Sequence, residues 1–180
     1  MDQYTSVRNT IATVTRLDDE WRKSTAGRDE LATYLPYMPF SWPDFIALMA
    51  EALPETTGDK FLDIGSGPGT KQLLADGIFG LRAFGIERSP EMAKEARQLG
   101  LTVFEADAID FDGYGNYDLV FFNRPFFDNE LQAALEKEVW ANVKSGAVVI
   151  GVNLIAPPPA SWYPILDDHE VRRWISQKLG

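Results

Sequence analysis

The stretch FLDIGSGPGT, Phe61 to Thr70, joins an apolar run to an acid, Asp63, and to glycines at alternate positions, Gly65, Gly67 and Gly69, with Ser66 between the first two. Backbone without side chains lets a ligand lie against the main chain, and a helix that starts just after such a loop offers it free N–H groups. Asp63 is placed to hold a cationic group. Glu87 follows 22 residues after Gly65, in GIERSPEMAKEAR, where a carboxylate can accept both hydroxyls of a ribose, with Arg88 beside it. In EADAID, Asp107 is placed to accept from an exocyclic amine, and the N–H of Ala108 to reach a ring nitrogen. These groups together describe an adenine nucleoside with a polar tail. A phosphate is not demanded, because no Lys or Arg lies inside the glycine loop.

A fourth group is NRPF, Asn123 to Phe126. Pro125 disfavours the helical region for Arg124 and biases it towards an extended conformation, which directs its carbonyl. The Asn123 carboxamide and that carbonyl can both accept from an amine, with Phe126 stacked beside it. Each group also has a purely structural reading: a steric glycine turn, a solvated acid, a capped strand end under an apolar lid.

The elements that must position these residues follow a β-α-β-α-β rhythm. Strands are expected at Lys60 to Ile64, Arg82 to Glu87, Thr102 to Ala106, Tyr117 to Phe122 and Ala147 to Val152, the fourth a continuous apolar run as in a strand buried on both faces. Helices are expected from about Thr70 to Asp76, from Pro90 to about Leu99 with Ser89 as cap and Gly100 as terminator, and from Asp128 to about Val143. The tail from Trp162 to Lys178 adds one or two antiparallel edge strands, with Val171 to Ile175 the best match. This pattern predicts an α/β, three-layer Rossmann-like fold, a mainly parallel sheet with helices on both faces and an antiparallel C-terminal edge.

Ahead of the sheet, Val7, Ile11, Val14, Leu17 and Trp21 share one helical face. A break near Gly27 and a short helix over Glu30 to Leu35 follow. LPYMPFSWPDF, Leu35 to Phe45, is too rich in proline and aromatics for regular structure, and a helix from about Pro43 to Leu53 comes next with Ser41 as its cap. The division expected is one domain over 1–180: a helical extension (1–35), an entry loop and helix (36–58), a cofactor-binding core (59–153) and a C-terminal edge (154–180).

Composition narrows the function classes. The 180 residues contain no cysteine, which removes disulfides, thiolate metal sites and a cysteine nucleophile. Seventeen Lys and Arg against 27 Asp and Glu give a formal charge of −10, the wrong sign for a bare nucleic-acid binder. With no apolar targeting segment or membrane-length run, the expectation is a soluble, cytoplasmic protein without membrane partners. The lone histidine, His169, sits in an acidic tail and reads as a surface residue.

The four strand ends together resemble the class I S-adenosylmethionine-dependent methyltransferases, over about Tyr37 to Gly151. FLDIGSGPGT is similar to the family's first motif, D-x-G-x-G-x-G. The resemblance implies that S-adenosyl-L-methionine is the cofactor, with S-adenosyl-L-homocysteine as product and no metal. Gly65, Ser66, Gly67 and Gly69 would approach its methionine part and Asp63 would help hold the ammonium. Glu87 with Arg88 would take the ribose, and Asp107 with Ala108 the adenine. NRPF is similar to the N-P-P-F/Y signature of amine-directed members, in which the first residue and the next carbonyl orient a nitrogen, with Arg124 here in place of a proline. This makes Asn123, Arg124, Pro125 and Phe126 the candidate catalytic residues. LPYMPFSWPDFIALMAEAL is similar to the Y-x-P-S/T entry segment of seven-strand lysine methyltransferases, Tyr37 and Pro39 matching and Phe40 not. Tyr37 would touch the cofactor, and Tyr37, Phe40, Phe126 and Phe127 would wall a dry amine site. The acceptor so implied is an amine, a protein lysine first, then a nucleic-acid base or a small metabolite. A nicotinamide dehydrogenase shares the glycine loop and the distant acid, but the spacing is G-x-G-x-G and little chain remains for a substrate domain. A cofactor-binding module without catalytic activity is the other alternative.

Overall fold

A computed structural model describes residues 3–25, 38–168 and 173–179. Tyr37, Gly27, the short helix expected over Glu30 to Leu35, His169 and Val171 lie outside the described residues. The elements are α1 (Gln3–Thr25), α2 (Trp42–Ala52), β1 (Lys60–Ile64), α3 (Thr70–Phe79), β2 (Arg82–Glu87), α4 (Pro90–Gln98), β3 (Thr102–Glu105), β4 (Leu119–Asn123), α5 (Asn129–Asn142), β5 (Val148–Val152), β6 (Tyr163–Asp168) and β7 (Arg173–Gln177).

The strands form one seven-stranded sheet in the order β3-β2-β1-β4-β5-β7-β6. The first five are parallel, and β7 pairs antiparallel with both β5 and β6. The edge is thus two strands joined by antiparallel pairing, with β7 alone running against the rest. The chain order reverses between β1 and β4, and in open α/β sheets the carboxyl ends of the strands at such a reversal are the place where ligands bind.

Alternation along β1, β4 and β5 separates two cores. Phe61, Leu119, Phe121, Val148 and Ile150 face α2 and α3, with Val14 of α1 in the same cluster. Leu62, Ile64, Val120, Phe122 and Val149 face Leu135, Val139 and Trp140 of α5. The expected α1 face holds, with Val14 and Leu17 fully buried and Val7, Ile11 and Trp21 partly so. Helix α1 packs tightly on α3, where a Cβ added to Gly77 would collide with the Thr10 hydroxyl.

Three local expectations change. The Ser41 hydroxyl makes no cap hydrogen bond, and its carbonyl instead takes the Phe45 N–H at 2.9 Å. Helix α3 runs past Asp76 to Phe79, where Gly80 at φ 69° closes it and accepts no further turn. Strand β4 starts at Leu119, two residues late, because a short helical turn over Tyr114–Asn116 uses the chain before it. Ser89 and Asp128 cap α4 and α5 through their side chains as expected. No helix among the described residues is long and apolar enough to cross a membrane.

Candidate functional site

Parallel registry brings the expected residues to one rim. Ile64 pairs with both Ile86 and Phe122, Glu87 with Glu105, and Asn123 with Val152. Asp107, Glu87, the glycine loop and Asn123 therefore follow one another along the carboxyl ends of β3, β2, β1 and β4.

The glycine loop is held by its own backbone and by its neighbour. The N–H groups of Gly65 and Ser66 both donate to the Ile86 carbonyl at 2.9 Å. Gly65 sits at φ 72°, and a Cβ there would lie 2.9 Å from the Cβ of Pro125. Its bareness answers to Pro125 of NRPF as much as to any ligand. Gly69 at φ 88° is the left-handed cap of α3, and a Cβ there would strike Leu101. The Ser66 hydroxyl is turned inward over Gly85 and has no partner among the described residues.

The acids are of two kinds. Asp63 is 4% exposed, and burial pushes its carboxyl up to about 7, against the pull of Lys71 and with the help of Glu87's charge. Lys71, in the first turn of α3, is buried too. Burial lowers its pKa, opposed by the charges of Asp18 on α1 and of Asp63. A buried lysine thus follows the glycine loop and feels the charges of Asp18 and Asp63. Glu87 accepts from the Gly67 N–H with one oxygen and from the Ser89 N–H with the other, both at 2.7 Å. Burial nonetheless raises its pKa, with those backbone N–H groups opposing. The Arg88 N–H also bonds to this carboxylate, which has about four acceptor positions, so one remains for a ligand.

At the end of β3, Asp107 accepts from the Ile109 N–H at 3.1 Å and lies 3.9 Å from the exposed Arg88 guanidinium. The turn is anchored by Tyr114, fully buried, whose hydroxyl donates to the Ala108 carbonyl at 2.5 Å. Burial raises that hydroxyl's pKa well above the usual range, so it stays a donor.

NRPF differs most from expectation. Arg124 is not extended. It adopts φ 37°, in the left-handed region. Its guanidinium folds back on its own loop, donating to Asn129 Oδ1 at 2.6 Å and to the carbonyls of Phe126 and Phe127 at 3.4 Å. These bonds hold a conformation that the following proline alone disfavours. Phe126 is 3% exposed and packs into the α5 core, whereas Phe127 is 65% exposed. Phe40 lies on Phe121 at 5.7 Å with the Arg173 guanidinium over its ring at 5.6 Å.

Beneath the loop runs a buried polar chain. Gln132 Oε1 accepts from the Phe126 N–H at 3.3 Å, and its Nε2 donates to Glu136 Oε1 at 2.9 Å. Glu136, 3% exposed, also accepts from Ile155 N–H at 2.8 Å and Ala156 N–H at 3.2 Å. Two side chains of α5 therefore clamp the loops after β4 and β5 together. A carboxylate buried among three donors is poorly replaced by an amide, whose NH2 would face one of them. Glu136→Gln is expected to lower stability by about 2 kcal/mol, read from the urea midpoint, and an unchanged midpoint would remove the clamp. The sequence did carry a signal for this pair, polar residues four apart inside an apolar helical stripe.

A cavity of about 280 Å³ lies between α1 and the entry segment, lined by Asp18, Asp19, Arg22, Phe40 and Trp42 among others. Phe40 rests on Phe121, which pairs in register with Asp63, so this cavity lies over the same sheet face as the buried acid. The residue set suits a cationic adenosyl ligand: acids at three neighbouring strand ends, main-chain groups between them, and a buried acid whose charged form a bound cation would favour.

No protein-family model matches the sequence, and no curated protein does. Solved structures do match. An RNA methyltransferase from Salinibacter ruber, in complex with S-adenosyl-L-homocysteine, superposes with a TM-score of 0.59 at 18% identity over 78% of this chain and 92% of that one. The Haemonchus contortus phosphoethanolamine N-methyltransferase 2, bound to phosphomonomethylethanolamine and S-adenosylhomocysteine, gives 0.54 at 24% identity, over 63% of this chain and only 28% of that one. A SAM-dependent methyltransferase from Thiobacillus denitrificans, also with S-adenosyl-L-homocysteine, gives 0.51 at 18%, over 63% and 49%. At such identities the likeness speaks to the fold, and the fold of this chain is that of the class I S-adenosylmethionine-dependent methyltransferases.

Proposed function

We propose that the protein is an S-adenosylmethionine-dependent methyltransferase that methylates an amine nitrogen, a protein lysine being the acceptor that suits it best. The observation that carries this reading is the rim itself: Asp63, the glycine loop, Glu87 and Asp107 in that spatial order on a sheet of this topology. Asp63 would face the ammonium, Glu87 the ribose hydroxyls, and Asp107 with Ala108 the adenine. Bound cofactor supplies a methyl already activated on sulfonium. What this chain must add is placement and a neutral nucleophile. The nitrogen lone pair forms the N–C bond as the C–S bond breaks, its electron pair goes to sulfur, and the proton lost from nitrogen passes to solvent. The acidic and aromatic lining of the cavity beside α1 favours a cationic amine over a polyanion, as does the net charge of −10.

Incubation with methyl-labelled cofactor and a cell extract, followed by protease or nuclease, tests the acceptor. Label released by protease supports the proposal, and label released by nuclease alone overturns the protein acceptor. For the cofactor, Asp107→Ala is expected to weaken S-adenosylmethionine binding at least about tenfold by calorimetry with the fold retained, the loss of one hydrogen bond to a charged acceptor. Unchanged affinity would displace the adenine from this turn.

A further inference from the structure

Asn153 stands on the same rim, beyond the end of β5, and has no part in the reading above. Its neighbour Val152 pairs in register with Asn123. Its backbone sits at φ 57°, and among the described residues only Asn153 and Arg124 are non-glycine residues with positive φ. Such conformations persist where the surroundings over-determine them. Here the surroundings do so from one source: Glu136 takes the N–H groups of Ile155 and Ala156, while Gln132 takes that of Phe126. The clamp sets the two loops so that Asn153 Nδ2 donates to Asn123 Oδ1 at 2.8 Å.

That bond divides the labour between two carboxamides. Each has an oxygen with two lone pairs and a nitrogen with two hydrogens. Donation from Asn153 occupies one lone pair of the Asn123 oxygen and fixes which way that amide is turned. The Asn153 oxygen stays on an exposed residue at the rim. We propose that Asn153 is a second acceptor-binding residue, its oxygen accepting an N–H of the substrate amine while its NH2 holds Asn123 in position. Asn123 and Asn153 then form one receptor for the nitrogen, reaching it from neighbouring strands. This rests on the amine-methyltransferase reading.

Two measurements test it. In 15N-labelled protein, Asn123→Ala is expected to shift the side-chain NH2 resonances of Asn153, and an unmoved pair overturns the contact without any substrate. Asn153→Gly removes the carboxamide while glycine takes φ 57° without strain, so the fold is kept. With methyl-labelled cofactor and total protein extract at subsaturating concentration, incorporation is expected to fall about tenfold, while calorimetric affinity for S-adenosylmethionine stays within about twofold. Unchanged incorporation overturns the proposal, and so does a fall matched by lost cofactor affinity. Failure of the underlying reading has a different signature, since the wild-type protein would then either bind no S-adenosylmethionine or leave the protein extract unlabelled.

Discussion

Gly65→Val is expected to abolish S-adenosylmethionine binding, with affinity lowered more than about a hundredfold, or about 2.7 kcal/mol. Two independent obstacles act at this position. The backbone sits at φ 72°, where a β-branched residue costs on the order of 1–2 kcal/mol. Its Cβ would also lie 2.9 Å from that of Pro125, closer than packed carbons approach, and Pro125 sits in a loop already pinned by Gln132 and by the Arg124 side chain. One of the two loops must yield. If the glycine loop yields, its N–H groups leave the Ile86 carbonyl and the cofactor cradle opens. If NRPF yields, Asn123 leaves the rim. Calorimetry for the cofactor, with far-ultraviolet circular dichroism to confirm the fold, distinguishes this from unfolding. A folded valine variant with wild-type affinity would show that neither loop contributes to the site as described.

Lys71→Met is expected to produce the largest change in stability. Removing one member of a buried charged group leaves the others uncompensated, typically at about 3 kcal/mol or more. Here the members left behind are Asp63 and Asp18. The sign of the pH dependence follows from Asp63. Its carboxyl rises in the folded protein from 3.8 to about 7, so the native state holds a proton that the unfolded chain releases. The stability this confers is complete below about pH 4 and is lost as pH rises through about 7. Without Lys71 to pull it down, the folded pKa moves higher still and the loss deepens. Urea midpoints should therefore differ between wild type and variant more widely at pH 8 than at pH 5. An equal difference at both values would mean that Lys71 does not act through Asp63.

The strand ends were legible because each is written locally. Glycines after an apolar run, an acid 22 residues on, and a proline-bound asparagine need no tertiary information to be seen. The capping of α4 by Ser89 and of α5 by Asp128 was legible for the same reason. What the sequence withheld depends on partners far away in the chain. Gly65 is bare partly for Pro125, sixty residues later. Arg124 departs from the extended geometry that Pro125 favours, because its guanidinium finds Asn129 and two loop carbonyls. Local propensity lost there to three hydrogen bonds. Lys71 looks in sequence like an ordinary exposed helix residue. Only the packing of α1 on α3 shows that it is enclosed. Asn153 is preceded by an apolar strand and followed by a proline-rich stretch, and nothing in that context marks its amide as aimed at Asn123.

Helix α1 reads at first as an appendage, an amphipathic segment covering one side of the sheet. The charge of Asp18 on Lys71 gives it another standing. The helix brings a counter-charge to the buried lysine that follows the glycine loop. A shortened chain beginning at the sheet would keep every motif by which this fold is known, yet Asp63 and Lys71 would have to settle their charges without a third party. Loosening α1 would therefore, in this protein, also change the charge surroundings of Asp63 through Lys71.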